Sequence, residues 1–331
     1  MARRSALEVV EGAYAAALLT YCHRSGVLAH LKDYQAPGTL ASALRADPEL
    51  IAVVFDFLWR TTALLERRPG PRYRLLPIYR SYTALGYHLD KFLAAYSTTL
   101  SHLDDIMQSP QRGARLVNGR VLATAFRLAD SGAPRAFVRI LRKARARTLL
   151  ELGCGTAPMS RALAKADPSV VAWAVDVNRA MCSAARARVR EDGLAGRVRV
   201  RQSNIAGLRR AFAASVRARI DTLYAQSLMN AFCSDRRAPA LALLRRLRHL
   251  FPGRRLFIAD YFGRLATPMA TRRVEIHTLL QDLVQALSGQ GIPPAHHAGW
   301  VTLYAQAGCR LETAYEGADD GINWFVHGLR L

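Results

Sequence analysis

Thr148-Leu149-Leu150-Glu151-Leu152-Gly153-Cys154-Gly155-Thr156-Ala157-Pro158 is the stretch that decides the fold. It opens as a short apolar run, bends through two glycines, and passes into residues with helical spacing, which predicts a helix over 158–167. Glycines at 153 and 155 let the backbone turn tightly and let a ligand approach without meeting a Cβ. A second apolar run, 170–175, ends in Asp176, 25 positions after Glu151. A carboxylate there, at the end of the neighbouring strand, can accept hydrogen bonds from both hydroxyls of a ribose. A glycine turn alone carries little. Strand, turn, helix, strand and acid in this order predict a nucleoside site.

Outward from this stretch, the downstream half repeats its texture. Apolar runs at 198–200, 220–225 and 256–259 alternate with helical segments at 178–192, 235–251 and 269–287. Such alternation predicts a Rossmann-like, doubly wound parallel sheet. The upstream half is mainly helical. Residues 8–31 carry apolar positions at helical spacing, Thr39 is expected to cap a helix through Ala46, and Asp47-Pro48 to open another that reaches about Leu65. Arg67 to Leu75, with Pro69-Gly70 at its centre, reads as a hairpin. Helices followed by a hairpin make a winged-helix order. The expected division is a winged-helix-like dimerisation domain at 1–100, a helical connector at 101–140, and the α/β domain at 141–331.

The acid that opens the loop selects among nucleotides. A dinucleotide places its pyrophosphate at the helix N-terminus, where Glu151 would repel it. A cofactor without phosphate and with cationic groups tolerates the glutamate. The loop therefore resembles that of the class I S-adenosylmethionine-dependent methyltransferases, with Ala157 at the third small-residue position. That resemblance implies cofactor contacts from Glu151, Gly153, Gly155, Asp176 and the following Val177. It also implies contacts from Ser203 and Asn204 after the third strand and from Gln226 after the fourth. Asn204 has two readings, a hydrogen bond to the adenine amine or a turn-forming role.

Over nearly its full length the chain resembles the small-molecule O-methyltransferases of plants and bacterial natural-product pathways. The matching residues are Gly26-Val27-Leu28, Thr39-Leu40-Ala41, Asp47-Pro48, Arg72 to Leu75, Asp282-Leu283, Gly289-Gln290-Gly291, Trp300, Leu303 and Ala307-Gly308. The resemblance implies a homodimer, S-adenosylmethionine as cofactor and a small secondary-metabolite intermediate as substrate. It departs at one position. The family's general-base histidine is replaced by Asn230, and a side-chain amide does not act as a base near neutral pH. Asn230 is expected to orient the substrate, with O-methylation or C-methylation of an enolisable keto acid both open. His296 and His297 are the alternative source of a base, and Asp282 is expected to line the substrate pocket. Met229, Gln285 and Trp300 are placed in the same pocket by position.

Composition limits the rest. The chain has 331 residues and is 51% hydrophobic, enough for a sizeable core. No unbroken apolar stretch reaches a membrane span. Five scattered cysteines show no metal-finger spacing and no disulfide framework, so a reducing cytoplasm is expected and no metal is assigned. The net charge of +22 comes from dispersed arginines, so a solvated basic surface is favoured over a nucleic-acid partner. Two other functions stay open: a cyclase-like S-adenosylmethionine enzyme that transfers no methyl group, and a winged-helix nucleic-acid binder with a vestigial cofactor fold.

Overall fold

The computed structural model describes residues 5–79, 83–128, 134–265, 276–319 and 322–331. The chain divides into two units, Met1–Ser97 with Thr124–Ala129, and Thr98–Ala123 with Asp130–Leu331.

In the first unit, helix Ala6–Arg24 begins at a reciprocal cap. Ser5 accepts from the Glu8 N–H, and the Glu8 carboxylate accepts from the Ser5 N–H. Gly26, at φ 81°, breaks the chain before the short helix Val27–His30. Helix Pro37–Leu44 starts one turn earlier than a Thr39 cap would require. Pro37 occupies its first position and Ala36 the cap, because proline has no N–H to leave unsatisfied there. Helix Pro48–Thr61 is capped by Asp47, whose carboxylate accepts from Leu50 N at 2.7 Å. Strands β1 (Leu65–Arg68) and β2 (Arg72–Leu75) pair antiparallel around Gly70, as the turn residues predict. Leu28, Leu31, Leu40, Phe55, Leu58, Tyr73 and Leu75 form its core. Helix Ala6–Arg24 buries Ala15, Leu19 and Cys22 but leaves Leu7, Val9, Val10, Tyr14 and Tyr21 exposed.

The second unit is built on β3 (Thr148–Leu152), β4 (Val171–Asp176), β5 (Val198–Gln202), β6 (Thr222–Gln226), β7 (Arg255–Tyr261), β8 (Arg310–Asp319) and β9 (Ile322–Arg330). They form one sheet in the order β5-β4-β3-β6-β7-β9-β8. The pairs from β5 to β7 are parallel, whereas β9 runs antiparallel to both β7 and β8. Side chains alternate between faces. Leu150, Leu152, Val175, Leu223 and Ile258 pack into one apolar layer that includes Leu244, Leu247, Trp300 and Leu303. Leu149, Ala172, Tyr224 and Phe257 pack on the other side with Phe137, Leu141, Met159 and Leu163.

Helices Pro158–Ala166 and Arg179–Glu191 fall where the spacing predicts them. The helix expected from 235 begins at Ala238, because Asp235, Arg236 and Arg237 all take positive φ. Of the helix expected over 269–287, Ile276–Leu287 is present, and 269–275 lie outside the described residues. The β8–β9 hairpin is not anticipated by the sequence reading. Among the described residues, no helix is long and apolar enough to cross a membrane. The sheet order reverses between β3 and β6, which opens a crevice at the carboxyl ends of those strands.

Candidate active site

The glycine loop leaves β3 at that crevice. Gly153 and Gly155 sit at φ 61° and 52°, a region that side chains with a Cβ rarely adopt. A Cβ on Gly153 would lie 2.7 Å from Leu228 Cδ1, whereas one on Gly155 would enter open space. The backbone conformation favours glycine at 155, and the space its missing side chain leaves is open to a ligand.

Glu151 is engaged with the helix that follows the loop. It is buried, and its carboxylate accepts from Met159 N at 3.3 Å and from Ser160 N at 2.9 Å. These are orphan N–H groups of the helix that follows, so Glu151 ties the far side of the loop to its own strand. Burial pushes its pKa up to about 7, against the pull of those hydrogen bonds.

Asp176 ends β4 beside the loop. One carboxylate oxygen accepts from Gly155 N at 2.9 Å and the other from Asn178 N at 2.8 Å. Each oxygen keeps acceptor capacity for a further donor. Burial raises the carboxyl's pKa, and the backbone N–H groups oppose the shift. Val177 follows it with its apolar side chain exposed, a flat contact surface next to the acid. Ser203 donates its hydroxyl to the Asn204 carbonyl and its N–H to the Asp176 carbonyl. The Asn204 side-chain oxygen accepts from Ala206 N at 2.9 Å, which is the turn-forming role. Gln226, the last residue of β6, accepts from the Tyr224 hydroxyl at 2.9 Å.

The loop after β6 carries Asn230 in a short 3-10 turn, Met229–Phe232. Asn230 is 2% exposed, and its side-chain oxygen has no hydrogen-bond partner among the described residues. Its backbone N–H donates to Asp260 Oδ2 at 3.1 Å. Asp260 is almost wholly buried near the end of β7, and burial pushes its pKa up to about 7. Sequence reasoning did not single out this acid. The signal was present, since Asp260 ends an apolar run just as Asp176 does.

Two expected catalytic residues are engaged by partners within the fold. Asp282 is fully buried and accepts from the Tyr261 hydroxyl at 2.8 Å, Arg264 N at 2.5 Å and Leu265 N at 2.8 Å. Its oxygens are engaged within the fold, where they position the 261–265 segment. His297 opens helix His297–Gln306 and contacts Glu316 on β8 at 2.8 Å. Its partner Glu316 is on β8, the edge strand, which β9 separates from β7. Met229 and Trp300 are fully buried in the core. A cavity of about 330 Å³ lined by Arg139, Arg142, Lys143, Arg145, Arg147 and Asp167 lies at the amino end of β3, the edge opposite the glycine loop.

Residues 149–250 match the family model described as "Methyltransferase domain". No curated protein matches the chain. The fold is shared with solved structures over almost the whole length. The mitomycin 7-O-methyltransferase MmcR is 14% identical, with a TM-score of 0.74, covering 98% of this chain and 96% of that one. PigF, solved with S-adenosylhomocysteine, is 17% identical, with a TM-score of 0.77 and complete coverage of both chains. NcsB1 is an O-methyltransferase from neocarzinostatin biosynthesis, solved with S-adenosylmethionine and 2-hydroxy-5-methyl naphthoic acid. It is 15% identical, with a TM-score of 0.69 and 99% coverage of both chains. At these identities the likeness establishes the fold alone: a Rossmann-like α/β domain preceded by a mainly helical unit.

Proposed function

We propose that this chain is an S-adenosylmethionine-dependent methyltransferase acting on a small molecule, a secondary-metabolite intermediate. One juxtaposition carries the reading. A matched methyltransferase domain places an open glycine, an acid with spare acceptor capacity and an exposed apolar residue together at the sheet's switch point. These residues fit the cofactor. Gly155 leaves room for its close approach, Gly153 lets the loop turn against Leu228, Asp176 would hold the ribose hydroxyls, Val177 would pack on adenine, and Gln226 would close the side near β6. Ser203 and Asn204 shape the adenine end, and Glu151 keeps the loop in register.

When bound, S-adenosylmethionine supplies an electrophilic methyl group. The chain's own task is then alignment and exclusion of water. Asn230 is suited to orientation. Its buried, unpartnered oxygen can accept from a substrate hydroxyl, and its amide can donate to a carbonyl or an oxyanion. Asp260 fixes the Asn230 backbone and so the placement of that amide. Without a histidine at this position, the substrate is best an already acidic phenol or an enolisable keto acid.

The exposed apolar residues of helix Ala6–Arg24 support a homodimer through the N-terminal helices. Five free, buried cysteines support a reducing cytoplasm. The test is incubation with S-adenosylmethionine and a panel of hydroxyaromatic and keto acids, read by mass spectrometry. S-adenosylhomocysteine in step with a methylated product supports the proposal. Methylthioadenosine with no methylated product overturns it.

A further inference from the structure

Three side chains from three elements converge where helix His297–Gln306 crosses the β8–β9 hairpin. They are His297 at the start of the helix, Glu316 on β8 and His327 on β9. The register pairs Ala314 with His327 and Glu316 with Phe325, so Glu316 and His327 are diagonal neighbours on one face of the hairpin. One nitrogen or oxygen from each of the three residues lies within 4.8 Å of the other two. His297 Nδ1 stands 2.8 Å, and His327 Nε2 3.8 Å, from Glu316 Oε1. A tetrahedral shell of nitrogen and oxygen around zinc has ligand-to-ligand edges of about 3.3 Å. Both measured spacings lie close to that edge, one just inside it and one just outside.

A second observation points the same way. His327 is 0% exposed, and its Nε2 has no hydrogen-bond partner among the described residues. Leaving such a buried atom unpaired is costly. Its Nδ1 is 3.0 Å from the Tyr304 hydroxyl, the outer-shell contact that fixes ring orientation for a metal-bound histidine. Stacking on Phe325 at 4.0 Å holds the ring further. Glu316 and His297 are partly exposed, which leaves a path for an ion from solvent.

We propose that His297, Glu316 and His327 bind a divalent transition-metal ion of the zinc class, with the fourth coordination position open to solvent. The ion would clamp the helix to the hairpin. Two histidines and one carboxylate suit zinc or cobalt better than magnesium or calcium, which prefer all-oxygen shells.

The test uses the full chain after chelator treatment, titrated with zinc chloride by calorimetry and with cobalt chloride by visible absorption. The expected result is one zinc ion per chain, a cobalt spectrum with d–d bands and no thiolate charge transfer, and a zinc-dependent rise in Tm. His297→Ala and Glu316→Gln, both at partly exposed positions, should each weaken zinc binding by more than about tenfold, the loss that even an outer-shell change produces. Glu316→Gln should leave S-adenosylhomocysteine binding unchanged. Absence of stoichiometric zinc binding overturns the proposal. So does zinc binding that both variants retain, or a thiolate band that places the metal on cysteine.

Discussion

At the residue scale, the site separates side chains that present chemistry from those that hold the presenters in place. Asp176 and Asn230 keep unused hydrogen-bonding capacity at the crevice, while Glu151 and Asp282 spend theirs on the fold. Asn230→Ala is therefore expected to lower kcat more than it changes cofactor affinity, checked by steady-state kinetics beside cofactor titration. Asp260 makes a separate prediction through linkage. Its folded pKa of about 7 lies above its ordinary value of 3.8. The fold thus favours the protonated form, and that contribution is full below about pH 4 and is lost as pH rises to about 7. Urea unfolding at pH 5 and pH 8 should show a larger loss of stability in the native chain than in Asp260→Asn. Ala157 holds φ 57° in a region that suits glycine. Ala157→Gly should therefore be neutral or stabilising by up to about 1 kcal/mol in the same assay, unlike most core changes. The glycine loop and Asp176 beside it were legible because strand, turn and acid repeat a pattern with a physical cause. The commitments of Asp282 and His297 were not, because each depends on partners 15 or more positions away.

At the scale of elements, periodicity placed β3 to β7 and their helices, since parallel strands covered on both faces read as continuous apolar runs. The β8–β9 hairpin escaped for the converse reason. Glu312 and Glu316 on β8 and His327 on β9 interrupt its apolar pattern, and His327 is buried only because helix and hairpin meet there. Helix Thr83–Phe92 hides another element-scale surprise, Lys91. Its ammonium lies 4.6 Å from the ring centre of Phe92 and 5.2 Å from that of Tyr87, and burial pushes its pKa down to about 7. The fold favours its neutral form, so the penalty is full below about pH 7 and fades as pH approaches the ordinary lysine value of 10.5. Lys91→Met should raise Tm at pH 6 and do so progressively less toward pH 10, as scanning calorimetry across that range would show.

At the scale of the whole molecule, the charge of +22 comes from arginines and lysines that outnumber the acids. The proposed cofactor site lies at the carboxyl ends of interior strands β4, β3 and β6, and the arginines are spread along the chain. The apolar residues left exposed on helix Ala6–Arg24 call for a covering surface, and a second copy of the chain is the proposed one. Light scattering at micromolar concentration should report a dimer, and Val10→Glu with Tyr14→Glu should shift it toward monomer. The enzyme reading itself rests on the crevice between β3 and β6. Its most direct test is calorimetric titration of S-adenosylhomocysteine into the native chain and into Asp176→Ala. The account predicts one site per chain, weakened about a hundredfold by loss of two charge-assisted hydrogen bonds. Absence of binding to the native chain, or equal affinity in the two proteins, would contradict it.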